Sequence, residues 1–168
     1  MTIPEAKIRD LAKDLFTGVP ADVVVIDTGN YYPRERDGRI SEIEAGLTES
    51  CWVQQQLGRV VIKAFNNIYA QHLMEYGRPP GSPGRIALPV AGDDAHAKET
   101  VIRLVNELRF DAVDAGGRDA WRQQPGTPVY TADFEADGVR HALAEASKVR
   151  TPKWQATDKS PGTFANPA

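Results

Sequence analysis

The chain has 168 residues, 41% hydrophobic and 26% charged, with a net charge of −3. That is enough for one domain with a real core, and the acidity and lack of any Lys/Arg cluster argue against a nucleic-acid surface. No apolar run approaches the roughly 18 residues of a membrane span, and a single cysteine, Cys51, excludes an intrachain disulfide and fits the reducing cytoplasm.

Glu5, Lys7, Arg9 and Asp10 interrupt any signal-peptide core at the N-terminus. Ile8, Leu11, Ala12, Leu15 and Phe16 recur at helical spacing, so residues 5–17 read as an amphipathic helix stopped by Gly18 and Pro20. Val23 to Ile26 is continuous and β-branched, as in a strand buried on both faces. A polar loop with Pro33, Asp37 and Gly38 follows. Thr48 is placed to cap a helix from Glu49 to Leu57, with Gly58 as its stop. Val60 to Ala64 reads as a second strand and Ile68 to Tyr76 as the helix after it. Gly77 to Gly84 holds three prolines and is a loop. A third strand at Arg85 to Ala91 leads to a helix capped by Asp93 or Asp94, with Ala97, Val101, Leu104, Val105 and Leu108 on one face. Phe110 to Asp114 is a fourth strand. A last helix covers about 133–148, with Val139, Ala142, Leu143 and Ala146 inward.

Strands alternating with helices imply an α/β fold with a mostly parallel sheet, its strands near 23–27, 60–64, 86–90 and 110–114. Residues 1–150 form one domain. Residues 151–168, rich in Pro, Thr, Lys and Ala without periodicity, read as a flexible tail.

Two strands end in Asp-x-Gly, at Asp27-Thr28-Gly29 and Asp114-Ala115-Gly116. Either the aspartates serve loop hydrogen bonds, or the loops border a ligand crevice at the carboxyl edge of the sheet. Asp27-Thr28-Gly29 imitates an aspartic-protease motif, but that fold is nearly all β and this chain is rich in helical patterns. Lys63, Asn66 and Asn67 cluster at another strand exit. Their donors and acceptors suit a carboxamide, a ribose or a phosphate, or the asparagines cap the following helix. Cys51, beside Trp52, fits a buried small hydrophobe better than a nucleophile. Asp93-Asp94 fits a helix cap better than a metal site. His72, His96 and His141 are too scattered for a metal motif. The loop from Trp121 to Tyr130 suits a pocket wall, a dimer contact or a packed connection. Neither a Walker-type loop nor G-x-G-x-x-G occurs.

Four segments, in order, carry a resemblance: Val24 to Tyr32, Lys63 to Ile68, Pro89 to Lys98, and Asp114-Ala115-Gly116 with Trp121 to Tyr130. Together they resemble the NADPH-dependent coenzyme F-420 (deazaflavin) reductases and the related cytoplasmic domains of ferric-chelate metalloreductases. The resemblance covers roughly residues 3–148. It implies the second half of a Rossmann-like doubly wound sheet with C-terminal helices, NADP(H) as cofactor, and a deazaflavin (coenzyme F-420) or flavin as the small redox acceptor. The family's glycine loop and its 2′-phosphate readers lie upstream of the matching segments. The resemblance makes Thr28, Gly29, Asn30, Lys63, Ala64, Phe65, Asn66 and Asn67 nicotinamide-side neighbours, and it implies a homodimer. Hydride transfer between stacked rings needs no obligatory protein acid or base, which leaves no catalytic residue to assign. The alternative reading is a non-catalytic α/β module for dimerisation or partner binding.

Overall fold

The structure, a computed structural model, describes residues 1–117 and 120–163; of Ala120 and Trp121 it describes the backbone only. The α/β class is as expected. Helix α1 (Glu5–Ile8) leads to strand β1 (Val25–Asp27). A π-helical turn at Pro33–Asp37 precedes α2 (Ser41–Glu44) and α3 (Glu49–Leu57). Then come β2 (Val61–Lys63), α4 (Ala70–Glu75), β3 (Ala87–Val90), α5 (Ala95–Glu107), β4 (Asp111–Asp114) and α6 (Ala136–Glu145).

The caps read from sequence are present. Thr48 accepts from the Cys51 amide at the start of α3, and Gly58 ends it in the left-handed conformation. Asp94, rather than Asp93, caps α5 through the Ala97 amide. The helix expected over 5–17 is one turn, Glu5–Ile8, followed by tight turns as far as Val19. Leu15 stands 45% exposed, so this segment presents no continuous apolar face to bury, and its helical periodicity is not enough to sustain a helix.

β1 pairs with β2 and β3 with β4, both in parallel register. The mostly parallel pairing expected from the alternation of strands and helices is present within both pairs. The two pairs meet through one antiparallel pair of residues, Lys63 and Ala91, which exchange backbone hydrogen bonds of 2.8 and 3.0 Å. Helix α4, between β2 and β3, has six residues and none fully buried, and its Leu73 packs against the core that holds Ile62 and Leu88.

Alternate residues of each strand look into different core layers. Ile62, Leu88 and Val90 pack with Val101, Val105 and Phe110 under α5. Val61 packs with Trp52 and Val53 of α3. Ala87 and Val113 pack with Val139, Ala142 and Leu143 of α6. At roughly 25 cal/mol per Å² of apolar surface, these layers supply the main stabilisation of the fold.

Of the segment 151–168, read by composition as a flexible tail, residues 164–168 lie outside the described part and residues 151–163 lie along the body. The Trp154 ring sits 6.3 Å from those of Tyr32 and Tyr130, and Arg34 donates to the carbonyls of Thr157 and Ser160. Ala156 and Ser160 are buried. Composition does not reveal such contacts, because Tyr32 and Arg34 lie more than a hundred residues away in the chain. No helix among the described residues is long and apolar enough to cross a membrane.

Candidate functional site

Register decides which charges meet. Asp27 and Lys63 are opposite residues at the last step of the β1–β2 ladder, and both are buried. Lys63 Nζ lies 3.0 Å from Asp27 Oδ2 and 3.8 Å from Glu49 Oε2, and donates to the Gly29 carbonyl at 2.6 Å. Arg150 reaches in from the segment after α6 to pair with Glu49. Burial works against the lysine's charge, but Asp27, Glu49 and Glu5 outweigh it and hold the ammonium above its ordinary value. Ser50 adds a 3.3 Å hydrogen bond to Asp27.

Glu5 completes the cluster. It is fully buried, and neither carboxylate oxygen has a hydrogen-bond partner. Burial pushes its pKa well above the ordinary 4.5; Asp27, Glu49 and Asp37 add to the shift and Lys63 opposes it. Glu5 therefore keeps its proton to higher pH than an exposed glutamate does. While Glu5 holds its proton, two cations, Lys63 and Arg150, face two carboxylates, Asp27 and Glu49, and the buried charge balances. Glu5 also explains Gly29. A Cβ built there would stand 2.5 Å from Glu5 Oε1.

In front of this cluster, at the carboxyl ends of β1 and β2, opens a cleft of about 670 Å³. Of the eight residues assigned from sequence, Thr28, Gly29, Asn30, Phe65 and Asn66 line it. Lys63, Ala64 and Asn67 do not line it; they are buried. The two strand exits are tied together. Asn30 Nδ2 donates to the Asn66 carbonyl at 2.8 Å, and Asn66 Nδ2 donates to Asn30 Oδ1 at 3.0 Å and to the Gln123 carbonyl at 2.8 Å. Gln123 Nε2 returns a 2.8 Å bond to Asn66 Oδ1. Phe65 turns the corner at φ 63°, a conformation uncommon for a residue with a bulky side chain. Neither asparagine caps α4, whose N-cap position is Tyr69. The side-chain amide of buried Asn67 has no partner on either atom.

Both Asp-x-Gly ends make the loop hydrogen bond. Asp27 accepts from the Gly29 amide at 2.9 Å and Asp114 from the Gly116 amide at 2.8 Å. For the first, the two readings coincide, since Gly29 also borders the cleft. Sequence reasoning missed Tyr32, Arg36 and Thr131 of the cleft wall, and Glu5, Glu49 and Arg150 behind it. It placed Tyr130 only within a loop suited to a pocket wall, and Tyr130 does line the cleft. The Tyr32 and Tyr130 hydroxyls share a hydrogen bond. Burial, and then that bond, raises the Tyr130 phenol above its ordinary range; burial also raises Tyr32, against the opposing effect of the shared bond. Both therefore stay protonated and neutral at physiological pH. Among the described residues no group of three or more His, Cys, Asp or Glu is placed to hold a metal. The Trp121 side chain and residues 118 and 119 lie outside the described part.

No family model matches the chain. The Escherichia coli (strain K12) protein YjhV is 44% identical over 78 residues, which cover 45% of this chain and 57% of YjhV. A crystal structure of the hypothetical protein SMa0349 from Sinorhizobium meliloti superposes with a TM-score of 0.63 at 23% identity, over 80% of this chain and 64% of that one. A structure from Arthrobacter sp. FB24, solved as a proposed F420-dependent NADP-reductase, gives a TM-score of 0.47 at 21% identity, over 70% of this chain and 53% of its own. The chain thus spans less than two thirds of each of these proteins. The fold is Rossmann-like. It is an α/β arrangement of short, mostly parallel strand pairs between helices.

Proposed function

We propose that the cleft is the nicotinamide side of an NADP-dependent oxidoreductase site, where hydride passes between NADP(H) and a flavin or deazaflavin. The observation that supports this most is the lining of the cleft. Five residues of the two strand exits, Thr28 to Asn30 and Phe65 to Asn66, converge on one cavity at the carboxyl edge of parallel strands, the usual place for a ligand in open α/β sheets. The residues present suit a planar carboxamide-bearing ring. Phe65, Tyr32 and Tyr130 supply flat apolar faces, while Thr28 and Asn30 supply neutral hydrogen-bonding groups. NADP(H), when bound, supplies the hydride, and this chain's part is to hold the rings in place and keep water out. The Asn30–Asn66–Gln123 network fixes the wall for that purpose.

In this reading the pyrophosphate is held elsewhere, because the 168 residues contain no glycine-rich phosphate loop. That half of the site belongs to polypeptide beyond them, and the chain acts as a fragment of the enzyme. We take the working species to be a homodimer meeting near α6, where Phe134 and Val149 stand 41% and 72% exposed. Light scattering that shows only monomer at micromolar concentration would remove the dimer.

The test of the cofactor reading is an NMR titration with reduced nicotinamide mononucleotide. Shifts should gather at Thr28, Asn30, Phe65 and Asn66, and NADPH should bind no more tightly than the mononucleotide. Shifts elsewhere, or micromolar NADPH binding, would overturn it. A protein that ignores both nucleotides would leave the partner-binding module as the better account.

A further inference from the structure

We propose that Arg36 is the specificity residue of this cleft and that it selects a hydride partner carrying an anionic substituent, phosphate or carboxylate, on a planar ring system. The proposal rests on the hydride-transfer reading above and adds the chemical class of the second substrate.

Among the described residues that line the cleft, Arg36 is the only charged one. Nothing else in the lining, made of threonines, asparagines, aromatic rings and aliphatic side chains, prefers one ionic state of a ligand over another. The guanidinium is held in a fixed pose. Its Nε donates to Asp37 Oδ1 at 3.1 Å and its Nη2 to Asp37 Oδ2 at 3.0 Å, a two-point fork. Nη2 also donates to the Asn30 carbonyl, and the guanidinium carbon stands 5.0 Å from the centre of the Tyr32 ring. Nη1 is left with no bond to any described residue.

Asp37 does not cancel this charge for a ligand. Its carboxylate is buried, and besides Arg36 it accepts from the Ala6 amide at 3.3 Å and the Tyr32 amide at 2.8 Å. Its negative charge is therefore shared among donors on the side away from Nη1. The π-helical turn at Pro33–Asp37 makes this possible, because it sets Arg36 and Asp37 side by side with the Asp37 amide bonded back to the Tyr32 carbonyl. Arg36 itself is about one third exposed, enough to meet a ligand and too little to wander. The aromatic faces of Tyr32, Tyr130 and Phe65 stand close by. A flat ring stacked there places an anionic side chain within reach of Nη1.

Riboflavin and flavin mononucleotide test this, because they share one ring system and differ by a phosphate. In fluorescence titrations at low salt the wild-type protein should bind the mononucleotide at least about tenfold more tightly, the scale of one hydrogen bond to a charged group. The preference should shrink as salt is raised, because a partly exposed charge is screened. Arg36→Gln should erase the preference while riboflavin binding stays unchanged. Arg36→Lys should restore part of it, since a point charge survives without the fork. The salt series needs no variant, so it decides the matter even if Arg36→Gln folds poorly. Equal affinity for the two flavins in the wild-type protein, or a preference that survives in Arg36→Gln, overturns the proposal. If reduced nicotinamide mononucleotide still maps to the cleft in that case, the hydride-transfer reading stands and only the role of Arg36 falls. Failure of both flavins to bind also overturns the proposal.

Discussion

Replacing Glu5 by Gln should stabilise the protein at neutral pH and leave it nearly unchanged in acid. Glutamine matches glutamate in shape and is neutral at every pH, so the variant removes only the ionisation. Burial holds the folded-state pKa of Glu5 well above its ordinary 4.5, whereas the unfolded chain ionises near that value. Between those two values the folded protein keeps a proton that the unfolded chain has lost. Glu5 thus contributes stability in full below the unfolded pKa, and that stability is lost as pH rises towards the folded pKa. One proton of difference is worth about 1.4 kcal/mol per pH unit. The gap between variant and wild type should open near pH 4.5, widen with rising pH by at most about 1.4 kcal/mol per unit, and level off once the folded carboxyl itself ionises. Urea unfolding of both proteins from pH 4 to 8, compared by midpoint at equal slope, measures the gap. A constant offset across that range, or a variant less stable at pH 8, would mean that Glu5 is ionised in the fold and that the charge balance assigned to the cluster is wrong.

Three further substitutions probe the same region. Lys63→Met leaves Asp27 and Glu49 buried without their shared cation and should cost about 3–5 kcal/mol by urea unfolding; a loss below 1 kcal/mol would show the ion pairs to be incidental. Gly29→Ala forces a methyl against the Glu5 carboxyl and should cost about 1–3 kcal/mol, with part of that recovered in the Glu5→Ala, Gly29→Ala double variant. Strict additivity of the pair would refute the contact. Arg150→Ala strips Glu49 of its second cation and the Tyr31 ring of its guanidinium neighbour; the melting temperature should drop by several degrees, and no change would mean that the segment after α6 carries no stability.

The sequence was legible where a local rule decides the outcome. Thr48 and Gly58 bound α3 as read, Asp94 caps α5, and the β-branched runs at Val25 and Val61 became strands in register. It misled where local preference and tertiary context part. The period at Ile8, Leu11, Leu15 and Phe16 is helical, yet only one turn forms, because a helix so short depends on packing that the later positions do not receive. The bridge between Lys63 and Ala91 was out of reach, since no local pattern marks a pairing between residues 28 positions apart. The site was half legible. Strand exits announce themselves through glycine and asparagine, so Asp27-Thr28-Gly29 and Asn66 were marked, the resemblance added Asn30 and Phe65, and Thr28 to Asn30, Phe65 and Asn66 line the cleft. Glu5, Glu49 and Arg150 look like ordinary surface charges in their local stretches, and only the folded chain brings them together around Lys63.

The balanced cluster also bears on what the cleft prefers to bind. A lone buried lysine behind Gly29 would project positive potential into the cleft and attract anions without help from the wall. While Glu5 holds its proton, Lys63 and Arg150 are matched by Asp27 and Glu49 within a few ångströms, so the cluster then presents a short-range dipolar field rather than a net charge. The charge preference of the cleft then falls to Arg36. The two sets of measurements are consequently linked. If the pH series shows Glu5 ionised in the fold, the cluster carries a net negative charge and repels anions. Arg36 must then act against that field, and the preference for flavin mononucleotide over riboflavin should weaken as pH rises through the folded pKa of Glu5. If Glu5 holds its proton through neutral pH, the preference should only strengthen as the flavin mononucleotide phosphate takes its second charge at about pH 6, and it should yield to salt.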